Sequence, residues 1–306
     1  MTNSKARLAI INELSYSPGD RRHMIVLIEE ALEAMGVEIV HITKASGYVP
    51  ADAVFVHIDQ SIISPEARAL ALRYPVSINA YATDIRKFRY IDGLLGRDDS
   101  WDGPVIVKSN LNYAGMPERN AARQQGPIAR RLLSRVANRL HRQSKYTIQS
   151  KEDYRIYPTL SDVPRHYFRN DYVVQKFMAE NDGEKNVLRE YIFLGDLHYQ
   201  NIERSDKLII TEDEHVSCEP FEPHPHLLAT RRKLGLDYGK IDYTLINGEP
   251  FIFDANKTLG LGEYGDSEWL ADDVAKMLRA FAGEVFRLVT AQKSVPKPDA
   301  QFLEVG

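Results

Sequence analysis

The segment Lys240–Gly262, reading KIDYTLINGEPFIFDANKTLGLG, restricts what this chain can fold into more than any other. Asn247-Gly248 is a strong signal for a tight turn, and apolar runs flank it on both sides, so the segment is expected to form a β-hairpin. The loop length decides what the hairpin displays. A two-residue loop sets Ile246 against Glu249 and Asp242 against Phe253, and Asp254 then falls on the other face. A three-residue loop, Asn247 to Glu249, sets Asp242 against Asp254 and leaves Asn256 on the same face. Two carboxylates and an amide gathered in this way offer the oxygen donors that suit Mg²⁺, a cation usually shared with substrate phosphates. The metal reading of Asp242, Asp254 and Asn256 therefore requires the longer, bulged turn. The alternative is that both aspartates are solvent-facing strand residues. Against it stand the depletion of Asp in strands and the apolar run Phe251, Ile252, Phe253 beside Asp254.

The rest of the sequence reads as an α/β protein. Arg7 to Ile11, Val37 to Ile42, Ala53 to His57 and Val76 to Ile78 are expected strands. Arg21 to Met35 and Pro65 to Leu72 are expected helices between them, an alternation that implies a parallel sheet with its ligand face at the carboxyl ends of the strands. Those ends carry Asn12 to Asp20, Asp59 and Asn79. The glycine pattern of a dinucleotide-binding turn is missing after the first strand. From residue 81 the rhythm changes. Val105 to Lys108 is a buried-type strand, Ser109 to Glu118 a polar loop, and Tyr172 to Met178 another apolar strand. Glu190 to Gly195 and Leu197 to Ile202 form a second hairpin. Asp266-Ser267 can cap a final helix from Glu268 to Gln292. The expected division is a small domain over 1–80, a larger one over 81–293 and a tail over 294–306.

Composition narrows the function classes. At 306 residues the chain can bury more than one modest core. A net charge of −4 gives no general attraction to nucleic acid or membrane. Cys218 is the single cysteine, which excludes an intrachain disulfide and fits a reducing compartment. The opening residues lead into an apolar run too short for a secretory signal, and no run is long enough to span a bilayer, so the expected location is cytoplasmic. Arg119 to Lys151 holds nine basic residues and no acidic one. Within it Ile128, Leu132, Leu133, Val136 and Leu140 form a helical apolar stripe. A basic helix over 128–142 is read either as packed on its own lobe with a solvated face or as a dock for an acidic partner.

In order and spacing, these segments resemble the ATP-grasp superfamily over nearly the whole chain. The layout is nearest to D-alanine–D-alanine ligase, glutathione synthetase and ribosomal-protein glutamate ligase. The resemblance implies a small N-terminal parallel-sheet domain followed by a two-lobed domain holding ATP and Mg²⁺. It also implies ligation of a small-molecule or peptide carboxylate to an amine or thiol through an acyl phosphate. A kinase of the same fold and a non-catalytic ATP-binding module are the alternatives, and homodimers are common among similar ligases.

By the same resemblance, Lys108 and Lys87 meet phosphates, with Arg86 competing for the second place. Gln175, Lys176, Phe177 and Met178 form the segment between the lobes, with the Lys176 carbonyl and Met178 amide on the adenine edge. Glu180 takes the ribose hydroxyls, ahead of Asp182 and Glu184. Asp242, Asp254 and Asn256 hold the metal. Arg189 is expected at the reacting phosphate or the substrate carboxylate, and Arg204 as a second such arginine. The chain departs from the pattern where Asp254 replaces the commoner Glu, where Leu259 replaces Pro, and in a phosphate loop with Gly115 as its one glycine. There Asn110 and Asn112 are expected to accept left-handed backbone in place of further glycines.

Overall fold

The computed structural model describes residues 5–12, 19–125, 148, 150, 153–210, 214–261 and 271–291. Three sheets organise these residues. Strands β1 (Arg7–Asn12), β2 (Glu38–Ile42), β3 (Ala53–His57) and β4 (Val76–Ile78) form a parallel sheet in the order β2-β1-β3-β4. The interiors of its central strands, Leu8 to Ile11 and Ala53 to Val56, are apolar because both faces are covered, as parallel sheets require. Leu8, Ile10 and Phe55 face helix α1 (Met24–Ala34). Ala9, Ile11, Val54 and Val56 face helix α2 (Pro65–Ala71), which starts where Ser64 caps the Ala67 amide and Pro65 fills the first turn.

The second sheet is antiparallel, in the order β5-β8-β6-β7: β5 (Leu94–Leu95), β6 (Val105–Ser109), β7 (Arg155–Tyr157) and β8 (Tyr172–Lys176). After β6 the polar segment tightens into a 3₁₀ turn over Asn112–Gly115 and enters helix α3 (Met116–Gln125) rather than remaining a loop. The third sheet joins β12 (Glu214–Pro220), β11 (Leu197–Ser205), β10 (Asn186–Leu194), β13 (Tyr238–Ile246) and β14 (Glu249–Asn256) in that order, and the short β9 (Glu180–Asn181) pairs with the start of β10. Helix α4 (Pro225–Leu234) lies between β12 and β13 and ends at Gly235, whose φ is 65°. A Cβ at Gly235 would stand 2.6 Å from the Tyr81 carbonyl oxygen, so both the left-handed backbone and the close approach require glycine.

Helix α5 (Asp272–Ala291) closes the fold. Its Phe281 and Val285 pack with Ile25 and Leu32 of α1, Ile10 of β1, and Ile192 and Tyr238 of the third sheet. One apolar core thus joins the N-terminal sheet to the third sheet. The expected start of this helix at Glu268, its cap at Asp266-Ser267, the basic helix over 128–142 and the tail lie outside the described residues. Among the described residues no helix is long and apolar enough to cross a membrane.

Asn79 fixes the junction after β4. It is fully buried, with φ of 63°. Its Oδ1 accepts from the Asp237 and Tyr238 amides, each at 2.9 Å, and its Nδ2 donates to the Tyr238 carbonyl at 2.8 Å. Its own amide donates to Asp237 Oδ2 at 2.7 Å. Asparagine tolerates this backbone better than most residues, and its amide matches both backbone edges. Asn79→Ala is expected to cost on the order of 3 kcal/mol, since three buried backbone groups lose a partner in a strained position. Denaturant unfolding of the variant measures it, and a loss below about 1 kcal/mol would show that the junction does not depend on this side chain.

Candidate nucleotide and metal site

The β13–β14 hairpin turns on two residues, not three: Ile246 pairs with Glu249 across Asn247-Gly248. The expected three-residue loop is therefore absent. Asp242 nevertheless pairs with Asp254, because the register shifts between Asp242 and Tyr243. Tyr243 pairs with Ile252, so Phe253 is the extra residue of a β-bulge. A bulge breaks the alternation of side chains and re-aims one of them. Phe251, Phe253 and Asp254 consequently all line one cleft.

A row of charge crosses the sheet from this bulge. Asp254 pairs with Asp242, Asp242 with Glu190 on β10, and Glu190 with Asn201 on β11. Residues directly opposite in an antiparallel ladder point to the same face. Lys240, two residues before Asp242, shares that face and pairs across with Asn256. Its ammonium bonds the Glu190 carboxylate and lies 3.3 Å from Asp242 Oδ1. Burial alone would pull Lys240 down. The Asp242 and Glu190 carboxylates outweigh it and hold the ammonium well above the usual lysine range. Glu203, whose Oε1 accepts from Asn201 Nδ2 at 3.3 Å, is pushed up to about 7 by burial and by Glu190 and Asp242.

Lys87 approaches the row from the chain segment after β4. It has no exposed surface, and its Nζ lies 2.6 Å from Asp254 Oδ1. Burial favours the neutral amine, and the Asp254 carboxylate more than compensates, so its pKa is raised. Tyr90 donates to the same Oδ1 at 3.1 Å and accepts from the Ala255 amide at 2.8 Å.

The second sheet forms the opposite wall. Ile106, Lys108, Gln175, Lys176, Phe177 and Met178 face Val187, Leu188, Glu190, Lys240, Asp242 and Asp254 across a cleft of about 920 Å³, part of it open to solvent. Lys108 donates to the Phe253 carbonyl at 3.0 Å, and its Nζ lies 5.0 Å from the centre of the Phe253 ring. Gln175 is fully buried and clamps the two sheets together, donating to the Asp92 carbonyl at 2.7 Å and the Ile252 carbonyl at 3.0 Å. The Lys176 ammonium stacks 4.2 Å from the centre of a Trp101 ring. The Lys176 amide bonds Gly93 and the Phe177 amide bonds Pro104.

The structure thus brings Lys108, Gln175, Lys176, Phe177, Met178, Glu180, Asp242 and Asp254 to one cleft, with Asn256 beside Lys240 on the same face. Three expected residues go elsewhere. Arg189 pairs with Tyr243, on the opposite side of the pleat from Glu190, and its guanidinium grips Glu180 at 2.6 and 3.0 Å. This pairing also occupies Glu180, the expected ribose ligand, which accepts a further bond from the Leu245 amide at 2.7 Å. Arg204 pairs with Asp182 at 2.8 Å and does not line the cleft. Lys87 is committed to Asp254 and does not line it either. Arg86, its rival, is paired with Asp84.

In the segment expected to hold phosphate, the left-handed residues are Tyr113 (φ 43°), Ala114 (φ 53°) and Gly115 (φ 75°), not Asn110 and Asn112. Asn110 instead bonds Phe88 and Asn170, holding the Lys87 segment against β6. Lys240 and Glu190 were missed, and the two-residue periodicity running back from Asp242 is the signal that marks Lys240. Among the described residues no group of three or more His, Cys, Asp or Glu side chains is arranged to hold a metal. The donors that remain are the two carboxylates and the Asn256 amide. That oxygen set fits Mg²⁺ completing its shell with water and ligand phosphates.

No protein-family model matches the chain, and no curated protein matches its sequence. Solved structures do match its fold. The ATP-grasp ligase PsnB, complexed with a minimal precursor, aligns with a TM-score of 0.51 at 11% identity, covering 94% of this chain and 99% of that one. The D-alanyl-alanine synthetase A of Vibrio cholerae aligns with a TM-score of 0.50 at 10% identity, covering 94% and 98%. The chain has the ATP-grasp fold.

The charged row makes stability depend on pH. Glu203 holds its proton more tightly in the folded chain than in the unfolded one. Its contribution to stability is therefore lost as pH rises from about 4.5 to about 7. Glu203→Gln is expected to flatten that fall by about 2 kcal/mol. Unfolding at pH 5 and pH 7 tests it, and an unchanged slope would remove Glu203 as its source.

Proposed function

We propose that the chain is an ATP-dependent ligase that joins a carboxylate to an amine or thiol through an acyl phosphate, with Mg²⁺ as its metal. The observation carrying this reading is the bulge at Phe253. It turns Asp254 toward Asp242 in a cleft that the segment Gln175–Met178 also lines. Nothing in a purely structural hairpin requires that re-aiming. Residues 81–293 would form the nucleotide-holding unit, and residues 1–80 would contribute to the substrate side.

Each part of the cleft suits a part of the nucleotide. The adenine ring fits the apolar slot between Ile106 of one sheet and Val187 and Leu188 of the other, with its edge toward Lys176 and Met178. Lys108 would hold phosphate oxygens as a point charge. Asp242, Asp254 and Asn256 would hold Mg²⁺, which when bound draws charge off the phosphates. Lys240 sits among these groups and would turn from Glu190 and Asp242 to the phosphate under transfer, the role that Arg189 cannot reach from the far side of the pleat. The substrate carboxylate oxygen attacks the terminal phosphorus, the bond to the bridging oxygen breaks, and ADP leaves. The amine or thiol then attacks the acyl carbon, inorganic phosphate leaves, and the proton of the nucleophile departs with phosphate or water. The acyl phosphate hydrolyses readily, so the cleft must be shielded from water during transfer. The PsnB structure carries a minimal precursor and the Vibrio protein is a D-alanyl-alanine synthetase, which supports a small-molecule or peptide substrate.

A product assay with ATP, Mg²⁺ and pools of amino acids and short peptides tests the reading. A ligase releases ADP and free phosphate in equal amounts with each bond formed. Phosphate retained on the product would mean a kinase, and release of AMP would contradict the acyl phosphate. Lys240→Met is expected to lower kcat by about 10²- to 10³-fold, with Arg189→Met changing it only a few-fold. The reverse ranking would contradict the assigned roles.

A further inference from the structure

A second group of acids lies just past the carboxyl end of β3, and none of its members lines the nucleotide cleft. Asp59 stands at the edge where a parallel sheet presents its ligands. Its Oδ1 accepts from the Thr258 hydroxyl. The backbone at Thr258 is at most about 7 Å from that at Asn256, two residues earlier, so Asp59 is tied close to the metal donors. Ser61 joins Asp59 to the segment after β6. Its amide donates to Glu118 Oε1 at 2.7 Å, and its hydroxyl accepts from the Asn112 amide at 2.9 Å. Three acceptors are left over around this knot. Among the described residues, Asp59 Oδ2, Glu118 Oε2 and the Asn112 side-chain oxygen make no hydrogen bond, and neither carboxylate has an ion pair. Asn112 is 1% exposed, and its side-chain nitrogen is unbonded as well. A buried amide with both ends unsatisfied is costly and marks a place that a ligand or water completes. The electrostatics agree. Burial pushes the Asp59 carboxyl up and Glu118 adds to the effect, while the Thr258 bond and the charges of His23 and Lys257 do not offset it. Tyr113, in its left-handed backbone, stands between this recess and the cleft. The charge of Asp59 acts on its hydroxyl, and so do those of Lys240, Asp242 and Asp254.

We propose that the recess formed by Asp59, Asn112 and Glu118 binds the amine substrate of the ligation as its ammonium ion. The inference rests on the reading of the chain as a ligase and narrows it, choosing amine over thiol. A primary ammonium carries three N–H donors, and the recess offers three unused acceptors, two of them on carboxylates. A thiol has one weak donor and no charge, and would leave both carboxylates uncompensated. To attack the acyl carbon, the ammonium gives one proton to a carboxylate of the recess, and that proton passes to water as the product leaves.

Binding of cationic amides tests it. The wild-type chain is loaded with a non-hydrolysable ATP analogue and Mg²⁺, and binding of the analogue is measured by equilibrium dialysis. A panel of amino-acid amides, each cationic and without a carboxylate, is then titrated by saturation-transfer NMR. Each is compared with the same amide lacking the amino group and with the one carrying a thiol in its place. The expected result is that at least one amino amide binds at least about tenfold more tightly than both counterparts. Asp59→Asn keeps the side-chain shape and an acceptor for Thr258, and is expected to erase that preference while leaving analogue binding unchanged. Equal binding of the three forms, or none by any amino amide, with the analogue bound would overturn the proposal and leave the nucleotide reading standing. Failure of the analogue to bind would overturn both. A folded Asp59→Asn that keeps the preference would show that the ammonium sits elsewhere. Should that variant not fold, Asn112→Leu, which removes the unsatisfied buried amide, takes its place: an undiminished preference there would overturn the site.

Discussion

The arrangement of the cleft depends on one extra residue in one strand. Without the bulge at Phe253, a two-residue turn at Asn247-Gly248 would set Asp242 against Phe253 and send Asp254 to the other face. With it, Asp254 joins Asp242, Glu190 and Asn201 in a single row, and the aromatic ring of Phe253 lies under the Lys108 ammonium. Carboxylates packed this closely repel one another and lose water. The ammonium groups of buried Lys87 and part-buried Lys240 offset both costs. The bulge and the two lysines are therefore one device: the first gathers the negative charge and the others make the gathering tolerable.

This device explains features of the scaffold that seem remote from it. Lys87 can reach Asp254 only because Asn110 holds its segment against the end of β6, bonding the Phe88 amide at 3.0 Å while the Lys87 amide bonds the Asn110 carbonyl at 3.0 Å. Gln175 and Asp92 keep β8 and β14 in contact behind the cleft, the Ile252 amide donating to Asp92 Oδ2 at 2.7 Å. Asn79 fixes the entry to β13, the strand that carries Lys240 and Asp242. The strained backbone at Tyr113 and Ala114 lies in the loop between Lys108 and α3. Bulky residues in left-handed conformations persist where their surroundings dictate them.

Much of this was legible in the sequence. The apolar strands β3 and β4 are local signals, and their bounds match the structure. Lys108, a lysine ending an apolar strand, was singled out by the resemblance, and the aspartate pair because polar residues inside an apolar hairpin demand a reason; the structure brings all three to the cleft. The turn length was misjudged because a bulge in mid-strand leaves no local sequence mark. It yields the same Asp242–Asp254 pairing as the longer loop by a different route. Arg189 and Glu190 are adjacent, so the sequence alone could not say which of them faces the cleft. One step of the pleat decides it, and that step is set by pairing with β13, far away along the chain. Lys87 was placed near phosphates by its charge and order. Its commitment to Asp254 depends on a contact across 167 residues that no local pattern encodes.

The central claim is that this charged row, completed by a divalent ion, is the phosphate end of a nucleotide site. Titration of the chain with a fluorescent ATP analogue, in the presence of Mg²⁺ and again with the metal chelated, tests it most directly. The account predicts saturable binding that Mg²⁺ tightens at least about tenfold, a difference worth about 1.4 kcal/mol. Binding that ignores Mg²⁺, or no binding at all, would contradict it.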